Sequence, residues 1–144
     1  MGIDPTVNII EHMAPADRKK LGRRGETRAE TVHRVTTRAE RRIHDQFSGF
    51  CHRHNIAVWH SSPVKKSSIR TGLPDFLLLK NRRALLIEFK IPPNKLSFEQ
   101  VEVFAALEEN GDHVEVIQET APGEAYRLAT MLARDYFALP EGLE

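Results

Sequence analysis

The chain has 144 residues, of which 40% are hydrophobic and 28% charged, a soluble globular composition long enough to bury a core without covalent staples. A single cysteine, Cys51, excludes a disulfide framework and any multi-cysteine zinc site, and no apolar run approaches the roughly 18 residues that span a bilayer. The net charge of +1 conceals an asymmetry: Met1 to Lys95 holds 19 Lys and Arg against 9 Asp and Glu, a net +10, and Leu96 to Glu144 holds 2 against 11, a net −9.

A basic first part points to a polyanionic partner on one side of the molecule, although a basic tail can also serve solubility alone. The opening MGIDPTVNIIEHM is acidic and mixed, unlike a secretory signal. These features predict a reduced, soluble, cytoplasmic protein with no membrane partner. Residues 1–37 read as a basic arm in which Arg18, Lys19, Lys20, Arg23, Arg24 and Arg28 cluster, and 38–144 read as one folded domain. Ala29 to Arg42 carries only a thin apolar stripe, so the arm is expected to be disordered or a loosely docked helix.

From Ala39 the helical period becomes clear, with Ala39, Ile43, Phe47 and Phe50 on one face and Asn55 as the stop. Ile56–His60 reads as a strand in which Trp59 is assigned to the core, and His44, His52 and His54 are placed on the helix surface. Ser61–Thr71 is a polar loop carrying Lys65, Lys66 and Arg70. Phe76–Leu79 and Ala84–Lys90 read as a hairpin turning at Lys80–Arg83. Ser97-x-x-Gln100 then fits a capping box that opens a helix lined by Val101, Phe104 and Leu107 and closed by Asn110-Gly111. Val114–Gln118 is a strand reached by a crossover, hence parallel to Ala84–Lys90. Glu124–Ala138 is a last helix with Leu128, Leu132 and Tyr136 on one side. The order α-β-β-β-α-β-α describes an α/β protein whose mixed sheet is flanked by helices.

The hairpin decides what two acids mean. If its turn is centred between Asn81 and Arg82, facing residues have numbers that sum to 163, and Asp75 lies opposite Glu88. Facing side chains share one side of the sheet, with Cβ atoms about 4.5–5.5 Å apart. Two carboxylates about 5 Å apart repel by about 3 kcal/mol at an effective dielectric of about 20. Either one acid holds a proton or a divalent cation sits between them. Oxygen ligands with no His or Cys favour Mg²⁺, with Mn²⁺ as a substitute, over zinc. Lys90 lies two residues beyond Glu88 and projects from the same face. A surface Glu-x-Lys pair and a turn-capping Asp are the plainer alternative.

Pro74-Asp75, twelve residues, then Glu88-Phe89-Lys90 resembles the PD-(D/E)xK nuclease signature. Gly72-Leu73-Pro74-Asp75, Ile87-Glu88-Phe89-Lys90 and Leu96-Ser97-x-x-Gln100 together resemble the VRR-NUC branch of that superfamily, over about Ala39 to Gln118. The resemblance implies a restriction-endonuclease-like core and a Mg²⁺-dependent endonuclease that hydrolyses phosphodiester bonds in branched or structured DNA. It implies Asp75 and Glu88 as metal ligands, with the Phe89 carbonyl completing the shell, and Lys90 orienting or activating the attacking water. Glu40 fits a family Glu at the start of the first helix and becomes a further ligand, or it is a first-turn acid that favours the helix dipole. Gln100 touches the site or substrate, or only completes the capping box. One departure is that glycines often found before the Gly-x-Pro-Asp block are largely replaced by Ser61–Ser68.

One general base supplies about 10²–10⁴-fold, far less than phosphate-ester hydrolysis needs, so Lys90 requires a cation beside it. Lys65, Lys66 and Arg70 feed Asp75 and are expected to contact DNA phosphates, as are Arg23 and Arg24 of the arm, and Gln46–Pro74 contains no acid. By family analogy a homodimer would let so small a domain cut two strands. Two other readings are a nonspecific or restriction-like nuclease, and a nucleic-acid-binding module with a vestigial site.

Overall fold

A computed structural model of the chain describes residues 14–16, 26–60 and 72–141. The elements are α1 (Arg28–Arg53), β1 (Ala57–His60), β2 (Phe76–Lys80), β3 (Arg83–Lys90), α2 (Phe98–Glu109), β4 (His113–Gln118) and α3 (Glu124–Tyr136). Met1–Arg38 and Ala39–Glu144 form two compact units. In the first, Thr27 opens α1 with a reciprocal box: the Glu30 amide donates to Thr27 Oγ1 and the Thr27 amide to Glu30 Oε2. The Arg34 guanidinium donates to Glu26 at 3.1 Å. The helix therefore starts at Arg28, eleven residues before Ala39, although the apolar stripe of its first turns is thin.

The four strands run in the order β1-β2-β3-β4, antiparallel except for the parallel β3/β4 pair that α2 connects. Leu77 pairs with Leu86, and Leu79 with Ala84, so the hairpin register sums to 163 as the sequence predicts. Its two turn residues, Asn81 and Arg82, both have positive φ (51° and 61°), the pattern of the hairpin turns whose twist matches the strands. Only Asn adopts this conformation readily. The turn is tied down from outside: Asn81 Nδ2 donates to the Phe137 carbonyl and Arg83 to the Tyr136 carbonyl.

One sheet face, with Phe76, Leu78, Leu85, Ile87, Phe89 and Ile117, packs against Ile43, Phe47, Phe50 and Cys51 of α1 and the Ala125, Ala129, Ala133 and Phe137 stripe of the α3 segment. Phe47 stands edge-on to Phe76 and Phe89 at 5.2 and 5.5 Å, and each such burial stabilises by about 1.5–3 kcal/mol. Burial pushes the Cys51 thiol up to about 12, which leaves it an inert core group.

Three sequence assignments change. Trp59 is 58% exposed, because its partner Leu77 belongs to the outer face while Val58, paired with core Leu78, points inward. The buried line of α3 is alanine, with Leu128 largely outside and Leu132 and Tyr136 half-buried beside it. Small side chains allow the helix to approach the sheet closely, which a stripe of leucines would prevent. On α2, Phe104 is buried and Val101 exposed.

Candidate metal and catalytic site

The site forms where the loop before β2, the end of β3, one face of α1 and the first turn of α2 converge. Gly72, in that loop, has φ 103°, and a Cβ there would stand 2.9 Å from the Glu99 carbonyl oxygen, so only glycine lets the chain lie on the α2 N-terminus. Pro74 is buried, and Asp75 follows one residue before β2. Extending the register by one step sets Asp75 opposite Glu88. On β3 the odd-numbered residues Leu85, Ile87 and Phe89 enter the core, which leaves Glu88 and Lys90 on the other face.

Backbone and side chains interlock here. The Asp75 amide donates to Glu88 Oε2 at 2.9 Å, and the Phe89 amide donates to Asp75 Oδ2 at 3.1 Å. Lys90 Nζ lies 3.2 Å from Glu88 Oε1, and Gln100 Nε2 donates to the same oxygen at 2.8 Å. Gln100 Oε1 meanwhile accepts from the Ser97 amide, and the Gln100 amide donates to Ser97 Oγ. The capping role and the site role of Gln100 are thus performed by one side chain at once.

Glu88 is only 2% exposed. Burial and then the neighbouring Asp75 raise its carboxyl to about 7, against the opposing pull of Lys90 and Gln100. A carboxylate offers about four acceptor positions, and the Asp75 amide, Lys90 and Gln100 leave one on Oε2. Glu40 on α1 is half-buried, and its carboxyl is raised by burial and then by Asp75, with His44 and Lys90 acting the other way.

His44 corrects the sequence reading. The sequence places it on the helix surface, but it is 2% exposed, with its ring edge-on to Phe76 at 5.0 Å and 5.8 Å from that of Phe89. His54 is buried as well, and only His52 of the three is exposed. The buried arc of α1 is wider than the Ile43–Phe47–Phe50 line and takes in His44 and Cys51, and His54, just past the end of the helix, continues it. Nε2 of His44 lies 3.3 Å from Asp75 Oδ2 and 3.9 Å from Glu40 Oε1. Glu40, His44 and Asp75 each present a ligand atom within 4.8 Å of the other two. Hard carboxylate oxygens beside a ring nitrogen suit a divalent cation. The sequence signal for His44 is its position four residues after Glu40, which puts both on one helix face. Lys65, Lys66, Arg70, Arg23 and Arg24 lie outside the described residues.

A mixed sheet with two facing acids and a lysine on its central hairpin is the architecture of the PD-(D/E)xK nuclease superfamily. The sequence profile of the VRR-NUC domain matches residues 15–121, and the chain belongs to that family. A solved VRR-NUC domain structure shares the fold at TM-score 0.54 and 19% identity, covering 69% of this chain and 98% of that one. A second similar structure is Hjc, a Holliday junction resolvase of the archaeal hyperthermophile Archaeoglobus fulgidus. It matches at TM-score 0.39 and 20% identity over 54% of this chain and 65% of its own. No curated protein matches the sequence significantly. Among the described residues, no helix is long and apolar enough to cross a membrane.

Proposed function

We propose that the protein is a metal-dependent DNA endonuclease that hydrolyses phosphodiester bonds in branched or structured DNA, of junction or flap type. The observation that carries the reading is the hairpin register, which brings Asp75, Glu88 and Lys90 to one end of the sheet within a family of nucleases. Asp75, Glu88, the Phe89 carbonyl and Glu40 would hold Mg²⁺, or Mn²⁺ in its place. A divalent cation so held lowers the pKa of water and neutralises phosphate oxygens.

The chain's own residues do the rest. Glu88 keeps the Lys90 ammonium at 3.2 Å, so Lys90 presents a fixed positive charge that orients the attacking water and offsets charge developing on the phosphate. Gln100 and the Asp75 amide fix both Glu88 oxygens, so the acid does not swing when DNA arrives. Residues 38–144 form the catalytic domain and 1–37 a basic arm, part of which the family profile takes in from residue 15. Lys65, Lys66, Arg70, Arg23 and Arg24 bind DNA phosphates, and two copies of the chain act on the two strands of a junction.

Cleavage of labelled branched, flapped and linear duplexes tests this, in Mg²⁺, Mn²⁺ or EDTA, with Lys90→Ala and Glu88→Ala beside the wild type. Branched DNA is cut fastest, and EDTA or either substitution abolishes cutting. Cleavage that persists in EDTA removes the metal, equal cutting of linear DNA supports a nonspecific or restriction-like nuclease, and tight binding without cutting supports a binding module.

A further inference from the structure

His44 is a buried imidazole with no role in the proposed chemistry. Among the described residues neither Nδ1 nor Nε2 has a hydrogen-bond partner. An unsatisfied buried polar group costs about 1–3 kcal/mol, and a core position between Phe76 and Phe89 would accept an apolar ring without that penalty. Nε2 is instead directed at Asp75 Oδ2, 3.3 Å away, and Glu40 Oε1, 3.9 Å away. A histidine serving only to hold Asp75 would donate to it in an aligned hydrogen bond, and the geometry here makes none.

We infer that His44 Nε2 is itself a ligand of the metal, so that Glu40, His44 and Asp75 form a mixed nitrogen–oxygen centre that favours Mn²⁺ over Mg²⁺. The inference rests on the metal reading of the proposed function and adds the ligand that sets metal choice. Two donors about 2.1 Å from one ion stand about 3.0 Å apart at right angles and about 4.2 Å apart when opposite. The 3.3 and 3.9 Å separations lie between these limits, and all three ligand atoms fall within 4.8 Å of one another. The aromatic contacts with Phe76 and Phe89 lock the ring plane, so Nε2 is aimed before the ion arrives. Imidazole is a poor donor for Mg²⁺, which takes oxygen ligands and keeps its waters, whereas transition ions accept nitrogen.

The test is pulsed electron paramagnetic resonance of the Mn²⁺-loaded full chain, with calorimetric titration of Mn²⁺ and Mg²⁺. The wild type shows coupling of a directly bound imidazole nitrogen, and the coupling changes character when histidine is isotopically labelled. His44→Phe keeps the ring packing, loses the coupling and weakens Mn²⁺ about tenfold or more, with Mg²⁺ little changed. His60→Ala, whose ring centroid lies 6.4 Å from that of His44, retains the coupling. Mn²⁺ that Asp75→Asn releases but that shows no imidazole coupling, or an unchanged preference in His44→Phe, overturns the His44 ligand and leaves the metal site standing. No Mn²⁺ binding overturns both. If His44→Phe does not fold, a labelled wild type without imidazole coupling still overturns the His44 ligand, and His44→Gln, which must lose the coupling, carries the assignment.

Discussion

Asp75→Asn removes one charge and leaves the hydrogen bonds in place. The new Oδ1 can accept the Phe89 amide that Asp75 Oδ2 now takes at 3.1 Å, and it then stands beside His44 Nε2, which lies 3.3 Å from that same oxygen. What disappears is the negative charge beside Glu88. At about 5.5 Å and an effective dielectric of about 20, that pair repels by about 3 kcal/mol. The Asp75 side chain retains 14% exposure, so screening reduces the expected gain to about 1–3 kcal/mol. For a chain of this size that corresponds to a rise in Tm of about 3–9 °C.

The direction with pH follows from Glu88. Its folded value, about 7, lies above the ordinary 4.5, so the folded state holds the proton more tightly than the unfolded one. That contribution is fully present below pH about 4.5 and is lost as pH rises through about 7. Glu40, also raised by burial and by Asp75, moves the same way. In EDTA we therefore expect the wild type to lose stability between about pH 5 and about pH 8, with Asp75→Asn melting higher at the upper value and showing little gain at the lower. Cleavage by the same variant falls about 10²-fold or more. Calorimetry at the two pH values checks the first statement, and single-turnover cleavage the second. A variant that melts lower than the wild type at the upper pH, or by the same margin at both, refutes the repulsion.

Ser97→Ala and Gln100→Ala both break the capping box and lower stability by about 1 kcal/mol, but only Gln100→Ala removes a donor from Glu88 Oε1, leaving Lys90 alone on that oxygen. Cleavage should fall in the second and hold in the first, and equal rates would confine Gln100 to capping. Ala129→Leu, at a fully buried position of α3, is expected to cost about 1–3 kcal/mol, whereas Leu128→Ala, at 38% exposure, should cost less than about 1. Denaturant titration of the pair tests which line of α3 faces the sheet. Replacing both Lys65 and Lys66 with Ala should flatten the plot of log affinity against log salt by about 0.9 for each phosphate that is no longer neutralised. An unchanged slope in a fluorescence-anisotropy titration removes that loop from the DNA footprint.

Local rules carried the sequence furthest where one interaction decided the outcome. The hairpin register, the parallel crossover and the Ser97–Gln100 box each follow from spacing and turn chemistry between near neighbours in the chain, and each is present. The start of α1 has the same kind of signal in Thr27-x-x-Glu30, which the thin apolar stripe obscures. Trp59 and the alanine line of α3 have no such signal. Which face of a four-residue edge strand turns inward is set by its partner, since Val58 follows Leu78, and a hydrophobicity pattern cannot report that a helix sits close enough to require alanine.

His44 shows why the site itself was only half readable. Asp75, Glu88 and Lys90 lie within one hairpin, and their grouping needs nothing beyond pairing and parity. Glu40 and His44 reach the same place only because α1 packs Phe47 against Phe76 and Phe89, which orients the neighbouring helix face toward Asp75. A polar residue beside an apolar stripe is ambiguous in sequence, since it can mark either solvent or a function within the core. Burial without a hydrogen-bond partner among the described residues is not enough by itself, since His54 Nε2 shares it; what sets His44 apart is that its Nε2 lies 3.3 Å from Asp75 Oδ2 and 3.9 Å from Glu40 Oε1. The core and the candidate site are therefore one construction: the aromatic cluster that stabilises the domain also sets the direction of the nitrogen that we assign to the metal.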